Sequence, residues 1–203
     1  IPYGSSIGLV GDTGSGKTTI AKLLLRLYEP NDGNIYIGDH SISNLEIKFL
    51  RQKVGIVSQE SFLFNASIYE NITYGVKDPK LEDVEQTLEQ SQCKEFIEKL
   101  PQGLETIVGE RGQILSGGQR QRISIARTLM RKPEIIIFDE ATSSVDNETE
   151  EALQKSLDFI SKDRTTIVIA HRLSTIRHSD SIIVLDEGKV VESGKHEKLI
   201  ENK

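Results

Sequence analysis

Gly11-Asp-Thr-Gly-Ser-Gly-Lys-Thr18 is the stretch whose reading decides the fold. It fits the pattern G-x-x-x-x-G-K-[ST]. Ile7-Gly-Leu-Val10 before it reads as a short buried strand, and the run from Thr19 to Leu27 after it reads as a helix. A strand, a glycine-rich loop and a helix in that order make a phosphate cradle. The glycines let the backbone turn tightly and aim several N–H groups at one anion, and the helix N-terminus adds its partial positive charge. Gly11, Asp12, Thr13, Gly14, Ser15, Gly16, Lys17, Thr18 and Thr19 are therefore the candidate nucleotide-contacting residues. In this arrangement Lys17 reaches the β- and γ-phosphates and the Thr18 hydroxyl ligates Mg²⁺.

The rest of the chain bounds what that cradle serves. At 203 residues it makes one domain, or one domain with an inserted subdomain. Lys and Arg number 25 against 31 Asp and Glu, a net charge of −6, which argues against nonspecific nucleic-acid binding by the domain as a whole. The single cysteine, Cys93, cannot form an internal disulfide and fits a reducing compartment. It reads as a small, half-buried side chain on a helix. The longest aliphatic or aromatic runs are about four residues, such as Ile135-Ile-Ile-Phe138, too short to span a bilayer. Ile1-Pro-Tyr-Gly4 has neither the basic start nor the apolar stretch of a signal peptide. The chain opens without Met and enters a strand almost at once, so it is expected to be an excerpt of a longer polypeptide.

Further along, Asn34–Ile37 reads as a short strand ending at Gly38-Asp39, and Leu45–Arg51 as a short helix capped by Ser43 or Asn44. Val54–Val57 is a strand with Ser58, Gln59 and Glu60 at its C-terminal end. From about Ala66 to Thr128 the pattern turns helical, through Pro79–Gln90, Lys94–Leu100 and a helix from Gly117 or Gly118 to about Arg131. Strands return at Glu134–Phe138, Thr165–Ile169 and Ser181–Leu185, separated by helices over Asn147–Ile160 and Leu173–His178. A turn at Asp186–Lys189 leads into Val190–Glu192, and a terminal helix starts near Lys195. Aliphatic runs alternating with helices indicate a mostly parallel sheet covered by helices on both faces. The fold expected is α/β, with a helical block inserted between two halves of the core.

Two further stretches carry chemistry. Ile135–Phe138 runs into Asp139-Glu140, which puts two carboxylates at the carboxyl edge of the sheet, where open α/β folds bind ligands. Asp139 is placed to hold Mg²⁺ and Glu140 to activate an attacking water. Two carboxylates beside a polyphosphate repel it and each other, so this reading demands the metal. Leu115-Ser-Gly-Gly-Gln119 is a second glycine-bearing turn opening a second helix. With the Ser116 hydroxyl, the Gly118 N–H and the helix N-terminus it forms another anion site, about a hundred residues from the first. One cradle already binds the nucleotide, which suggests a composite site closed by another copy of the chain.

Together, Gly11–Thr18, Gln59, Leu115–Gln119, Asp139-Glu140, Ser143-Ser-Val-Asp146 and His171 resemble, in order and spacing, the nucleotide-binding domains of ABC transporters. The likeness covers essentially all 203 residues, and Leu-Ser-Gly-Gly-Gln is that family's signature pentapeptide. Leu63-Phe-Asn65, Glu70-Asn-Ile72 with Tyr74-Gly75, and Val108–Gly112 are most similar to the exporter type. The resemblance implies a P-loop NTPase with a RecA-like core over 1–65 and 129–203 and a helical subdomain over 66–128 ending in the signature. It implies an ATP-hydrolysing motor domain of a membrane exporter, working at the cytoplasmic face with membrane-spanning segments fused on its N-terminal side. Two such domains, identical or not, would pair head to tail. Each Mg²⁺·ATP would lie between Gly11–Thr18 of one and Ser116, Gly117, Gly118 and Gln119 of the other. By the same resemblance Gln59 contacts Mg²⁺ or the water, Asp146 bridges the dimer interface, and His171 holds the γ-phosphate and Glu140 in register. Arg120 and Arg122 are read as solvated or packing cations on a helix face.

Family members carry an aromatic that stacks on adenine, on a segment ahead of the strand leading into the loop. That segment is absent here, and Tyr3 reads as a turn residue. Two alternatives stand beside the exporter. A soluble ABC-type ATPase head, of the DNA-repair or chromosome-organising kind, would separate loop and signature by a long coiled coil; here 57 positions without sustained heptads separate Gln59 from Ser116. A catalytically inactive regulatory module would not be expected to keep Glu140, His171 and the signature intact.

Overall fold

Strands rich in Ile and Val pair side by side because their side chains are apolar on both faces. In the computed structural model, which describes residues 1–139, 147–161, 164–169 and 176–201, eight strands and eight α-helices are defined. They fall into two compact units.

The first unit comprises Ile1–Ile56, Pro133–Glu140 and Arg164–Lys203. Its sheet is built from β1 (Ser6–Gly11), β4 (Val54–Val57), β5 (Ile135–Asp139), β6 (Thr165–Ile169), β7 (Ser181–Asp186) and β8 (Lys189–Gly194) in the order β4-β5-β6-β1-β7-β8. β1 runs parallel to both β6 and β7, β5 is parallel to β6, and β8 returns antiparallel to β7. All five residues of β6 are buried, as a strand covered on both faces requires. Ile7, Leu9, Ile137, Ile167 and Ile169 pack with Ala21 of α1 (Lys17–Leu24), Leu25 at its C-cap and Leu50 of α2 (Ile47–Lys53). Gly8 admits this packing on the other side: a Cβ there would stand 2.9 Å from Cβ of Ile176. A two-stranded hairpin, β2 (Tyr36–Ile37) and β3 (His40–Ser41), lies outside the main sheet, and α8 (His196–Glu201) follows β8.

Three local expectations change. The helix after the loop ends at Leu24 rather than Leu27, because Arg26 takes a left-handed φ of 50°. The N–H groups of Arg26 and Leu27 then close on the carbonyls of Leu23 and Lys22, a Schellman stop made without glycine. Helix α2 begins at Ile47, with extended Glu46 at its N-cap and no side-chain cap. Ser43 and Asn44 lie instead in a 3-10 turn, Ile42–Asn44, whose Ile42 carbonyl, together with that of Leu45, accepts from the Arg26 guanidinium at 3.2 and 2.7 Å.

The second unit comprises Val57–Lys132 and Ala141–Asp163. It holds α3 (Ile68–Thr73), α4 (Leu81–Gln90), α5 (Lys94–Glu98), α6 (Gly117–Met130) and α7 (Asn147–Ile160). Its core gathers Leu63, Ile68, Ile72, Val84, Phe96, Ile123 and Met130, with Cys93 among them. Cys93 is thus fully buried rather than half-buried, at the N-cap position of α5, and burial pushes its thiol up to about 12. Ser67 and Glu70 cap α3 reciprocally, Ser67 N–H to Glu70 Oε2 at 2.8 Å and Glu70 N–H to Ser67 Oγ at 3.1 Å.

The coil between β4 and α3 is held by side chains from two helices. Asn71, wholly buried, donates from Nδ2 to the carbonyls of Phe64 and Ser67 and accepts the Phe64 N–H on Oδ1. Arg127 of α6 completes the network, donating to Asn71 O at 2.8 Å, Asn71 Oδ1 at 2.6 Å and Phe62 O at 2.9 Å, with its guanidinium 5.3 Å from the Phe64 ring centre.

Candidate nucleotide site

The loop after β1 turns at Gly11, Gly14 and Gly16, whose φ values are 151°, 89° and 102°. At Gly11 the need for glycine is steric as well: a Cβ would lie 2.1 Å from the Leu185 carbonyl oxygen of β7 and 2.6 Å from Ser15 Oγ. The Gly188 N–H in the β7–β8 turn donates to the Ser15 carbonyl at 3.2 Å, so the hairpin braces the loop from outside. Helix α1 opens directly from it with Gly16 at the N-cap and no side-chain cap. Its first N–H groups, at Lys17, Thr18 and Thr19, therefore meet no capping side chain, and Thr18 and Thr19 are exposed.

Lys17 points back under the loop. Its side chain leaves it only 5% exposed, and its ammonium donates to the carbonyls of Gly11 and Asp12 at 2.8 and 2.9 Å and reaches Ser15 Oγ at 3.5 Å. No carboxylate among the described residues forms an ion pair with it. A nearly buried cation neutralised only by carbonyl dipoles, at an uncapped helix N-terminus, is a ready receptor for an anion.

Asp139 ends β5 in register with Ile169 of β6, which in turn is level with Leu9 of β1. Two strand spacings separate it from β1, about 10 Å, and the loop begins two residues beyond Leu9. Asp139 and Gly11–Thr19 therefore share the carboxyl edge of one sheet. Among the described residues no group of three or more His, Cys, Asp or Glu side chains could hold a metal alone. This donor set fits Mg²⁺, which keeps several waters and is bound by one or two carboxylates together with a ligand's phosphates. Glu140, Asp146 and His171, and the first half of the helix expected over 173–178, lie outside the described residues.

The second unit contains the other two sequence features. Ser116, at the N-cap of α6, accepts the Gln119 N–H on Oγ at 3.2 Å and gives its own N–H to Gln119 Oε1 at 2.9 Å. The Ser-Gly-Gly-Gln turn is thus a capping box, with the Ser116 O–H hydrogen and the N–H of exposed Gly117 as its outward donors and Gly118 buried behind them. Arg120, read as a surface or packing cation, donates to the Leu115 carbonyl at 2.6 Å and so buttresses the turn from behind. Arg122 donates to the Gln92 carbonyl and stacks over Phe96. Gln59 lies two residues past β4 and lines an open polar groove of about 860 Å³ with Ser61, Phe62, Arg111, Gly117, Arg120 and Gln121.

A sequence profile described as "ABC transporter" matches residues 1–143. The chain belongs to the ABC transporter family. Its α/β sheet with a glycine loop at the carboxyl edge is the P-loop fold of that family's ATPase domain. Among ABC transporters it is 47% identical over 200 residues to "ABC transporter B family member 21" of Arabidopsis thaliana, spanning 98% of this chain and 15% of the plant protein. It is 49% identical over 203 residues to the mouse "ATP-binding cassette sub-family B member 10, mitochondrial", spanning 98% of this chain and 28% of that one. A bacterial Atm1-family ABC exporter solved with ATP bound superposes with a TM-score of 0.92 at 46% identity, over 98% of this chain and 35% of its own. The chain is thus the ATPase domain of a B-family ABC transporter and spans about a sixth to a third of the relatives it matches.

Two parts of the ABC site escaped the sequence reading. The capping box at Ser116–Gln119 was visible as S-x-x-Q, the same signal that Ser67-Ile-Tyr-Glu70 carries. The β7–β8 brace on the loop had no sequence signal, since it joins residues some 170 positions apart.

Proposed function

We propose that this domain binds Mg²⁺·ATP between two copies or near-copies and hydrolyses it to drive an exporter. The single observation that carries the proposal is Lys17, almost buried beneath an uncapped helix N-terminus without a carboxylate partner among the described residues. The N–H groups of Gly14–Thr19 take the phosphates, and Lys17 holds the β- and γ-phosphate oxygens. Thr18, Asp139 and Gln59 hold Mg²⁺, which supplies charge neutralisation across the β- and γ-phosphates when bound. Glu140 takes the proton of the attacking water, and His171 keeps the γ-phosphate and Glu140 in register.

The turn at Ser116, Gly117, Gly118 and Gln119 faces the nucleotide held by the partner's loop, and Asp146 lies at the joint. The ATP of the Atm1-family exporter supports the nucleotide assignment. No helix of the described residues is long and apolar enough to cross a membrane. In this reading the exporter's membrane-spanning segments precede this domain on the N-terminal side, and the domain works at the cytoplasmic face. The second unit presents the signature, and the first unit, which holds Gly11–Thr19 and Asp139, forms the catalytic core.

Replacing Glu140 by Gln in the full-length protein tests this. Turnover should fall by at least ~100-fold, the usual contribution of a general base, while ATP binding persists and traps the paired state. Near-normal hydrolysis would remove Glu140 as the base.

A further inference from the structure

Gln59 sits on a coil with no regular secondary structure from Ser58 to Ala66, and it is exposed. A coil does not by itself hold a side chain in one place. The residues on both sides of Gln59, however, are tied to a single side chain of α6. Gln121 accepts the Ser61 hydroxyl on Oε1 and donates from Nε2 to the Ser58 carbonyl at 3.3 Å. It is only 4% exposed, an unusual burial for glutamine, and its amide oxygen and nitrogen are both engaged by this coil. Two residues before it, Gln119 closes the capping box with Ser116, and the helix between them is continuous.

We infer that Gln121 is a positioning residue that fixes the Gln59 coil to the signature helix, so that the two move as one body. The inference rests on the proposed function. In that reading Gln59 serves the nucleotide on its own chain, whereas Ser116–Gln119 serve the nucleotide on the partner. Gln121 then links two different ATP sites through one rigid helix. A change at one signature turn reaches the metal-side glutamine of the neighbouring site without passing through the loop that binds ATP.

The test is Gln121→Met in the full-length protein, which keeps the side-chain volume and removes both hydrogen bonds. Misplacing a catalytic group by about 1 Å lowers rates up to ~100-fold, so kcat should fall roughly tenfold with the KM for ATP within twofold of the parent. A merely structural role would instead weaken ATP binding and kcat together. In a Gln59→Ala background the same substitution should have no further effect on kcat. Amide exchange at residues 58–61 should quicken at least tenfold, with the α6 amides unchanged. Parental kcat in Gln121→Met, a factor that multiplies in full with that of Gln59→Ala, or unchanged exchange would each overturn the inference. Gln59→Ala with parental turnover would instead remove Gln59 from the proposed mechanism, and the exchange at 58–61 alone would then decide the clamp.

Discussion

Arg127→Met should be among the most destabilising single changes in the helical unit. The substitution keeps a long apolar stem and removes a guanidinium that makes three hydrogen bonds, at 2.6 to 2.9 Å, to Asn71 O, Asn71 Oδ1 and Phe62 O. The bond to Phe62 O is exposed, so water replaces it at little loss. The other two are partly buried, and Asn71 O is one of the C-terminal carbonyls of the six-residue α3, which has no intrahelical partner. Charge-assisted bonds whose partners are left behind contribute about 1.5–3 kcal/mol each, so two give about 3–6. Burial lowers the pKa of Arg127, which means the folded protein already bears a desolvation penalty for this cation. Releasing the charge returns part of that, so the net loss falls toward the lower end, about 2–4 kcal/mol. Urea unfolding followed by far-UV circular dichroism measures it, since the chain has no Trp to report by fluorescence. Arg127→Lys should recover less than half, because an ammonium cannot span three acceptors as a planar fork does. A loss below about 0.5 kcal/mol for Arg127→Met, the range of ordinary surface changes, would refute the reasoning.

Gly11→Ala should weaken ATP binding at least tenfold, about 1.4 kcal/mol, because its Cβ meets the Leu185 carbonyl at 2.1 Å and the loop or β7 must shift; fluorescent-nucleotide titration checks this, and parental affinity would contradict it. Cys93 should resist thiol reagents at pH 8 in the native protein, because burial pushes its pKa from 9.0 up to about 12. The folded state then keeps a proton that the unfolded state loses above pH 9.0, so the thiol's contribution to stability is complete below that pH and disappears between pH 9 and about 12. Cys93→Ala should flatten that part of the stability–pH profile; an unchanged slope would contradict the assignment.

The sheet was legible because continuous runs such as Ile135–Phe138 and Thr165–Ile169 have no polar face to turn outward, and only a doubly covered strand suits them. The loop at Gly11–Thr18 was legible because its function is local: the glycines, the lysine and the helix start are all within eight consecutive residues. The end of α1 was not, since Arg26 adopts a left-handed turn that sequence assigns to glycine or asparagine. The start of α2 was misread for a related reason: Ser43 and Asn44 are good capping residues, but Arg26 draws the carbonyls beside them into a different turn. Cys93 was expected half-buried because helical spacing does not reveal that α4, α5 and α6 close over it. Gln121 and Arg127 read as ordinary polar positions on a helix. Their partners, Ser61, Phe62 and Asn71, lie 56 to 65 residues away, and only the packed structure brings them together.

The central claim is that each ATP site is completed by another subunit, and mixing two inactive variants tests it most directly. Lys17→Ala removes the loop cation, and Ser116→Arg fills the signature turn; in the full-length protein each alone should be inactive, with Ser116→Arg still binding ATP. Combined in equal amounts and allowed to pair at random, half the dimers contain one of each, and every mixed dimer has one intact site. Hydrolysis should return to about a quarter of the parental rate. No activity at any ratio, with Ser116→Arg binding ATP normally, would mean that loop and signature serve the same chain.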